Sequence, residues 1–511
     1  MNQTNSNKNV SRKLLFFIVF LNLFYVFLIA FLLPVSNVFL FGLLIFGEVF
    51  HLWQTLTYIY TIWDFNFKAK FNEKIRQRVD IFITVAGEPV ELVRKTVIAA
   101  KNIKYSHKTI YILNDGFVAN KDNWQEIEQL ARDEDVNCIT RQKPGGAKAG
   151  NINNALANTK SEFIAVFDAD HKPEPEFLKE TMGYFVDSEV AFVQTPQFYE
   201  NADTNLITQT SWEQQELFFN PICRGKNRLN STFMCGTNMV IRRTALIEAG
   251  GMCETNIAED FLTSLFIHKN GWKSIYVPKV LAKGLAPEDF LSYYKQQLRW
   301  ARGSLEVIFK YNPIFFKRLS FAQKTQYLAS ASYYLSGLVV AIDISLPLIF
   351  FYTGIVPLDI STLKLAVVFI PYMFFNIFTL RLSDNFNYTF SAIAFSTSSF
   401  EIFLRALVGV ILRQKASFSI TSKVKISGNF YNLISIHILY ISATVIGLLV
   451  ALYREGLDPS VVTNIAWAIV NISFFIPFMR SAVPEFGLNF PKPVFLLNFK
   501  KQLKQITTIL L

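Results

Sequence analysis

Two blocks of membrane-length apolar sequence enclose a central stretch of different texture, and this arrangement limits what the chain can fold into. Residues 14–35 and 38–63 are rich in Phe, Leu, Ile and Val, and comparable runs return at 327–351, 363–380, 431–452 and 461–478. In a bilayer a run of about 20 apolar residues can satisfy its backbone only as a helix. Residues 80–276 instead alternate short β-branched runs with amphipathic helical patterns. The expected product is an α/β domain carried between two sets of transmembrane helices.

The charge pattern agrees. Hydrophobic residues make up 51% of the 511-residue chain, charged residues 17%, and the net charge is +11. Much of the positive charge borders apolar runs: Lys8, Arg12 and Lys13, then Lys68, Lys70, Lys74 and Arg76, then Lys492, Lys500, Lys501 and Lys504. That placement fits a bilayer surface and the positive-inside bias, not a nucleic-acid partner. Cys138, Cys223, Cys235 and Cys253 form no C-x-x-C pair, so neither a zinc site nor a disulfide framework is expected. The first apolar run is too long for a signal peptide and reads as an anchor. Glu48, His51 and Gln54 interrupt the second run, where polar groups face a bundle interior or a water path, or make satisfied interhelical contacts.

Topology parity organises the second half. Residues 390–412 are apolar enough to span, but Glu401 and Arg405 break their middle. A crossing there would put Lys415, Lys423, Lys425 and the Lys-rich tail outside, so the segment is expected to lie on the cytosolic face as an interfacial helix. The division is two spans in 1–70, a cytosolic catalytic domain at 71–300, interfacial helices at 301–326, two spans in 327–389, an interfacial helix and loop at 390–430, two spans in 431–480 and a short cytosolic tail at 481–511. The sum is six spans.

Within the central stretch, residues 81–85, 110–113 and 163–167 read as buried strands, and 90–101 and 123–133 as helices. Alternation of this kind gives βαβ units and a mostly parallel sheet, whose ligands bind beyond the carboxyl ends of the strands. Asn114, Asp115 and Gly116 follow one strand, and Asp168, Ala169 and Asp170 follow another. Taken singly, most D-x-D pairs are solvated loop acids. Two acidic motifs at one sheet edge favour a site, where Asp168 and Asp170 can share Mg2+ or Mn2+ with a diphosphate. Upstream, KPGGAKAG at 143–150 lets the backbone approach a phosphate and adds Lys148, but it is not a Walker loop. Asp260 begins a helical pattern, where it is either a capping acid or a general base. Gln296, Arg299 and Trp300 share one helical face that suits a sugar ring and a diphosphate, or an interfacial anchor.

Asp-x-Asp, then Glu259 and Asp260, then Gln296, Arg299 and Trp300, flanked by spans, resembles the processive family 2 membrane glycosyltransferases, and among them the bacterial cellulose synthase catalytic subunits. The runs FDADHKP (167–173), VQTPQ (193–197), FMCG (233–236) and GWKS (271–274) belong to the same likeness. Phe418, Thr421 and Lys423 resemble the gating loop of that group. The resemblance implies a GT-A catalytic domain with Asp260 as base, Asp168 and Asp170 on nucleotide and metal, and Asp115, Lys148 and Arg299 on the nucleotide sugar. It also implies that Cys235, Gly236, Glu259, Gln296 and Trp300 hold the acceptor. UDP-glucose would be the donor, a β-linked polysaccharide the acceptor, and periplasmic or export subunits possible partners. Three departures stand out: Asn114 where the family carries Asp, Ala258 where it carries Thr, and Gln197 where it often carries His. Residues 481–511 leave no room for the PilZ barrel that binds cyclic di-GMP. Another polymer, such as a mixed-linkage or amino-sugar glycan, and an inactive scaffold subunit remain as alternatives.

Overall fold

The computed structural model describes residues 10–414 and 426–484. The expected gating-loop residues Phe418, Thr421 and Lys423 lie outside them.

The central domain is built on seven strands: β1 (Val79–Val85), β2 (Lys108–Asn114), β3 (Asn137–Thr140), β4 (Phe163–Asp168), β6 (Val190–Gln194), β8 (Met239–Arg242) and β9 (Lys273–Tyr276), in the order β3-β2-β1-β4-β8-β6-β9. Only β8 runs against its neighbours β4 and β6; the other pairs are parallel. A small second sheet joins β5 (Lys172–Pro173), β10 (Ala282–Gly284) and β7 (Phe198–Tyr199). β1 is buried along its whole length, and its inner face packs with Val93, Val97, Ile112 and Phe167. Such two-sided burial is why these strands read as continuous apolar runs. The helix Val90–Lys101 matches its expected bounds, and the next begins at Trp124, one residue late.

Among the described residues seven helices are long and apolar enough to cross a membrane: Arg12–Phe31, Val38–Ile62, Phe321–Thr353, Thr362–Ser383, Phe390–Ile411, Ser435–Glu455 and Pro459–Ala482. Six were expected to span. The seventh, Phe390–Ile411, differs in kind: 67% of its apolar window is buried in protein, against 11–33% for the others. It breaks at Ser399, and its second half packs Ile402, Phe403 and Ala406 against Tyr293, Tyr294 and Ala301 of the helix Phe290–Glu306. The third helix starts at Phe321, not at 327. Ser320 and Gln323 cap it reciprocally, and its polar first turns face the central domain, so apolarity understates its length.

The polar groups of the second helix make interhelical contacts. Tyr25 donates to Glu48 at 3.0 Å, His51 lies 3.3 Å from Asp343, and Gln54 donates to Ser332 at 3.1 Å. The central domain docks on the second and third helices through Cys223–Arg228. Lys226 donates to Gln326 at 3.0 Å and Ser330 at 2.9 Å, while Arg228 donates to the Tyr60 carbonyl at 2.9 Å. Gly225 lets the two backbones touch, since a Cβ there would overlap the Thr61 carbonyl. Gly225→Ala should lower stability by about 1–3 kcal/mol, read as a lower midpoint of thermal unfolding in detergent. An unchanged midpoint would mean the interface yields at no cost.

Candidate active site

β1 sets the geometry. Its register pairs Val85 with Asn114 and Thr84 with Asp168, so both acidic motifs leave the sheet at one edge. Helices from elsewhere in the chain close the space above that edge. The result is a cavity of about 670 Å³ whose lining includes Asp115, Lys148, Asp168, Asp170, Cys235, Gly236, Glu259, Asp260, Gln296, Arg299 and Trp300. Every expected site residue within the described chain therefore faces one space.

Lys148, in the first turn of the helix Ala147–Asn158, ion-pairs with Asp168 and donates to the Gly236 carbonyl at 2.8 Å. Asp168 also accepts from Thr84 at 3.2 Å, and its backbone N–H donates to Thr237 at 2.9 Å. Burial works against the charge on Asp168, but Lys148 and His171 outweigh it and hold the carboxyl below its usual value. Asp170 accepts from the Leu285 N–H at 3.0 Å.

Glu259 and Asp260 open the helix Glu259–Lys269. Asp260 Oδ1 accepts from the Phe261 N–H at 2.7 Å. Gly236, with φ +81°, faces Asp260 Oδ2, and a Cβ there would sit 3.2 Å from that oxygen. Burial, then the neighbouring Glu259, push Asp260 above the ordinary carboxylate range. Ala258 is fixed by its N–H to Asn256 at 2.6 Å, and Asn256 in turn donates to the Gly303 carbonyl at 3.2 Å. Gln296 hydrogen-bonds Tyr199, which also lines the cavity. Burial drives the pKa of the Cys235 thiol far up; the Cys235 carbonyl accepts from Gln197 at 2.5 Å.

Two parts of the site carry no sequence assignment. Arg141 grips Asp115 with both arms, Nε to Oδ1 at 2.7 Å and Nη2 to Oδ2 at 2.6 Å, so Asp115 offers no free carboxylate edge. Asn114 turns inward, donating to the Trp124 carbonyl at 2.8 Å and accepting from the Gly116 N–H at 3.0 Å. Asn114 thus serves as a turn lock. His171 is the second addition. Its ring lies with Asp168 and Asp170 so that one ligand atom from each falls within 4.8 Å of the others. Both its ring nitrogens are buried without a hydrogen-bond partner among the described residues, though Nδ1 lies 3.4 Å from Asp170. Two carboxylates and an orphaned imidazole fit a divalent cation such as Mn2+ or Mg2+. His171 directly follows the D-x-D pair, which was the available signal.

Residues 77–303 match the model of glycosyltransferase like family 2. The chain carries a family 2 glycosyltransferase domain. Residues 248–453, which run from that domain into the membrane helices, match the cellulose synthase model. Over 354 residues the chain is 31% identical to the UDP-forming cellulose synthase catalytic subunit of Pseudomonas fluorescens (strain SBW25), covering 68% of this chain and 47% of that protein. It is 34% identical over 292 residues to the corresponding subunit of Xanthomonas axonopodis pv. citri (strain 306), covering 55% of this chain and 39% of the relative. The chain thus spans less than half the length of these relatives. A mannosyltransferase from Pyrobaculum calidifontis, solved in complex with GDP-Man and Mn2+, is 15% identical with a TM-score of 0.55, covering 74% of this chain and 100% of that one. That likeness shows the GT-A fold.

Proposed function

We propose that this glycosyltransferase is a processive, inverting synthase that moves glucose from UDP-glucose to the end of a growing β-linked glucan and passes the polymer between its membrane helices. The supporting observation is the convergence of the D-x-D acids, Asp260 and the Gln296–Arg299–Trp300 face on one cavity beneath those helices. Asp260 takes the proton of the acceptor hydroxyl as its oxygen bonds the anomeric carbon and the bond to UDP breaks. Lys148 and Arg299 offset the charge of the departing diphosphate, and Trp300 stacks on the acceptor sugar beside Cys235, Gly236, Glu259 and Gln296. Asp168, Asp170 and His171 would hold the divalent ion, which supplies Lewis-acid neutralisation of the leaving group. Asp115 acts at the uridine end through Arg141, whose position it fixes.

The same reading places the catalytic domain on the cytosolic side of a bacterial inner membrane, with Phe390–Ile411 lying along the interface. Export subunits would receive the polymer. Membranes containing the chain, given one radiolabelled UDP-sugar at a time with Mn2+ or Mg2+, should incorporate label from UDP-glucose into polymer. Incorporation from another donor alone would change the product class, and incorporation from none would overturn the enzyme reading. His171→Ala should weaken Mn2+ binding by roughly 10–100-fold in calorimetry, since even groups behind a ligand contribute that much. Unchanged Mn2+ affinity would remove His171 from the metal site.

A further inference from the structure

The segment that joins the catalytic domain to the membrane-length helix Phe321–Thr353, taken with the first turn of that helix, has two unlike faces. From 307 to 324 it reads VIFKYNPIFFKRLSFAQK, with Lys310, Lys317, Arg318 and Lys324 and neither Asp nor Glu. Phe309, Ile314, Phe315 and Phe321 are 53%, 52%, 78% and 80% exposed, and Lys310, Lys317 and Arg318 are exposed beside them. Lys310 reaches back to Glu306 at 3.3 Å, whereas Lys317, Arg318 and Lys324 have no acidic partner among the described residues. Four large apolar side chains facing outward beside unpaired cations are unsuited to water. They run without a break into a helix long and apolar enough to cross a membrane.

The opposite face braces the helix that carries Asp260. Tyr311 Oη lies 3.0 Å from Thr255 Oγ1, just before that helix. The rings of Tyr311 and Phe316 meet Phe266 edge-on at centroid distances of 5.8 and 6.5 Å, and Lys269 sits 5.1 Å over Phe316. Val307 and Leu319 complete the same apolar cluster with Phe261, Leu262 and Leu265.

We propose that residues 307–324 form an anionic-lipid seat. Phe309, Ile314, Phe315 and Phe321 enter the boundary between headgroups and acyl chains in the leaflet on the catalytic side, and Lys310, Lys317, Arg318 and Lys324 meet lipid phosphates. Apolar burial supplies the anchoring, and the absence of acids selects negatively charged lipid. Because the inner face of the segment holds the Asp260 helix, seating it steadies the position of that carboxylate. This last step rests on the function proposed above.

The test uses the full chain in nanodiscs of phosphatidylcholine, alone or mixed with phosphatidylglycerol, with one lipid brominated at a time. The emission added by Phe315→Trp, taken as the difference from the parent, should be quenched by both brominated lipids and more strongly by brominated phosphatidylglycerol. Lys317→Gln combined with Arg318→Gln should abolish that preference. Emission unquenched in every disc would overturn the seat and leave the face to water or to a protein partner, and equal quenching by both lipids would overturn the choice of anionic lipid. Sugar incorporation should rise severalfold with phosphatidylglycerol, and the double substitution should erase the rise without altering UDP binding. Incorporation indifferent to lipid would overturn the bracing. Absence of any incorporation would instead strike the proposed function, and the quenching result would stand by itself.

Discussion

Asp260→Asn should lower polymer synthesis by about 10²–10⁴-fold, the usual worth of a positioned general base, and leave UDP binding unchanged. Asn preserves the shape of the side chain and can still accept the Phe261 N–H through its carbonyl oxygen, a bond that is 2.7 Å long in the native chain. What it loses is the ability to take a proton at the oxygen facing Gly236. The pH profile supplies a second reading of the same group. Burial and Glu259 both raise the Asp260 pKa, and a base works only when deprotonated. Activity should therefore fall as pH drops through a value above the usual Asp pKa of about 3.9. Glu259→Gln removes one of the two causes, so the acidic limb of the profile should move to lower pH. Full activity in Asp260→Asn would show that another group accepts the proton. Loss of UDP binding along with turnover would show that the substitution disturbed the cavity and not the chemistry.

How much of this site was legible in the sequence depended on whether a group's partner is near in the chain. β1, β2 and β4 were readable because burial on both sides makes them unbroken apolar runs. β3, β8 and β9, at four residues each, carry too little pattern, and the reversed direction of β8 is fixed by β4 and β6 on either side of it. The D-x-D acids, Asp260 and the Gln296–Trp300 face were legible because each sits at the end or on one face of a recognisable element. The grip of Arg141 on Asp115 was not, because it is created by pairing. β2 and β3 run parallel with Asn114 opposite Thr140, so the next residue of each strand, Asp115 and Arg141, emerges side by side. Twenty-six residues of sequence separate two groups that the sheet makes neighbours. The same reasoning explains Asn114. The sequence shows a missing acid, and only the fold shows an amide closing a turn onto Trp124.

That pairing carries the second large effect. Arg141→Met should destabilise the chain by about 3–5 kcal/mol, because it strands a buried carboxylate without its partner. The side chains of Arg141 and Asp115 are only 7% and 8% exposed, so water can do little to compensate. Arg141 also donates to the carbonyls of Gly145 and Ala147, so its loss should free the loop that leads into Lys148 and weaken nucleotide binding. The pH dependence separates the charge from the loop. Burial already holds Asp115 above its ordinary pKa while Arg141 pulls it down. Without Arg141 the folded-state pKa rises further, which penalises the ionised form. The stability deficit relative to the native chain should therefore be full at neutral pH and shrink as pH falls through the variant's raised Asp115 pKa toward that of the native chain, since the unfolded carboxyl titrates alike in both. Asp115→Asn added to Arg141→Met removes the stranded charge and should recover most of the thermal midpoint at neutral pH. A deficit that is equal at every pH and not relieved by the second substitution would mean that Arg141 acts through the Gly145 loop alone. Nucleotide binding should stay weak in the double variant, because the carbonyls of Gly145 and Ala147 still lack the donor that Arg141 supplied.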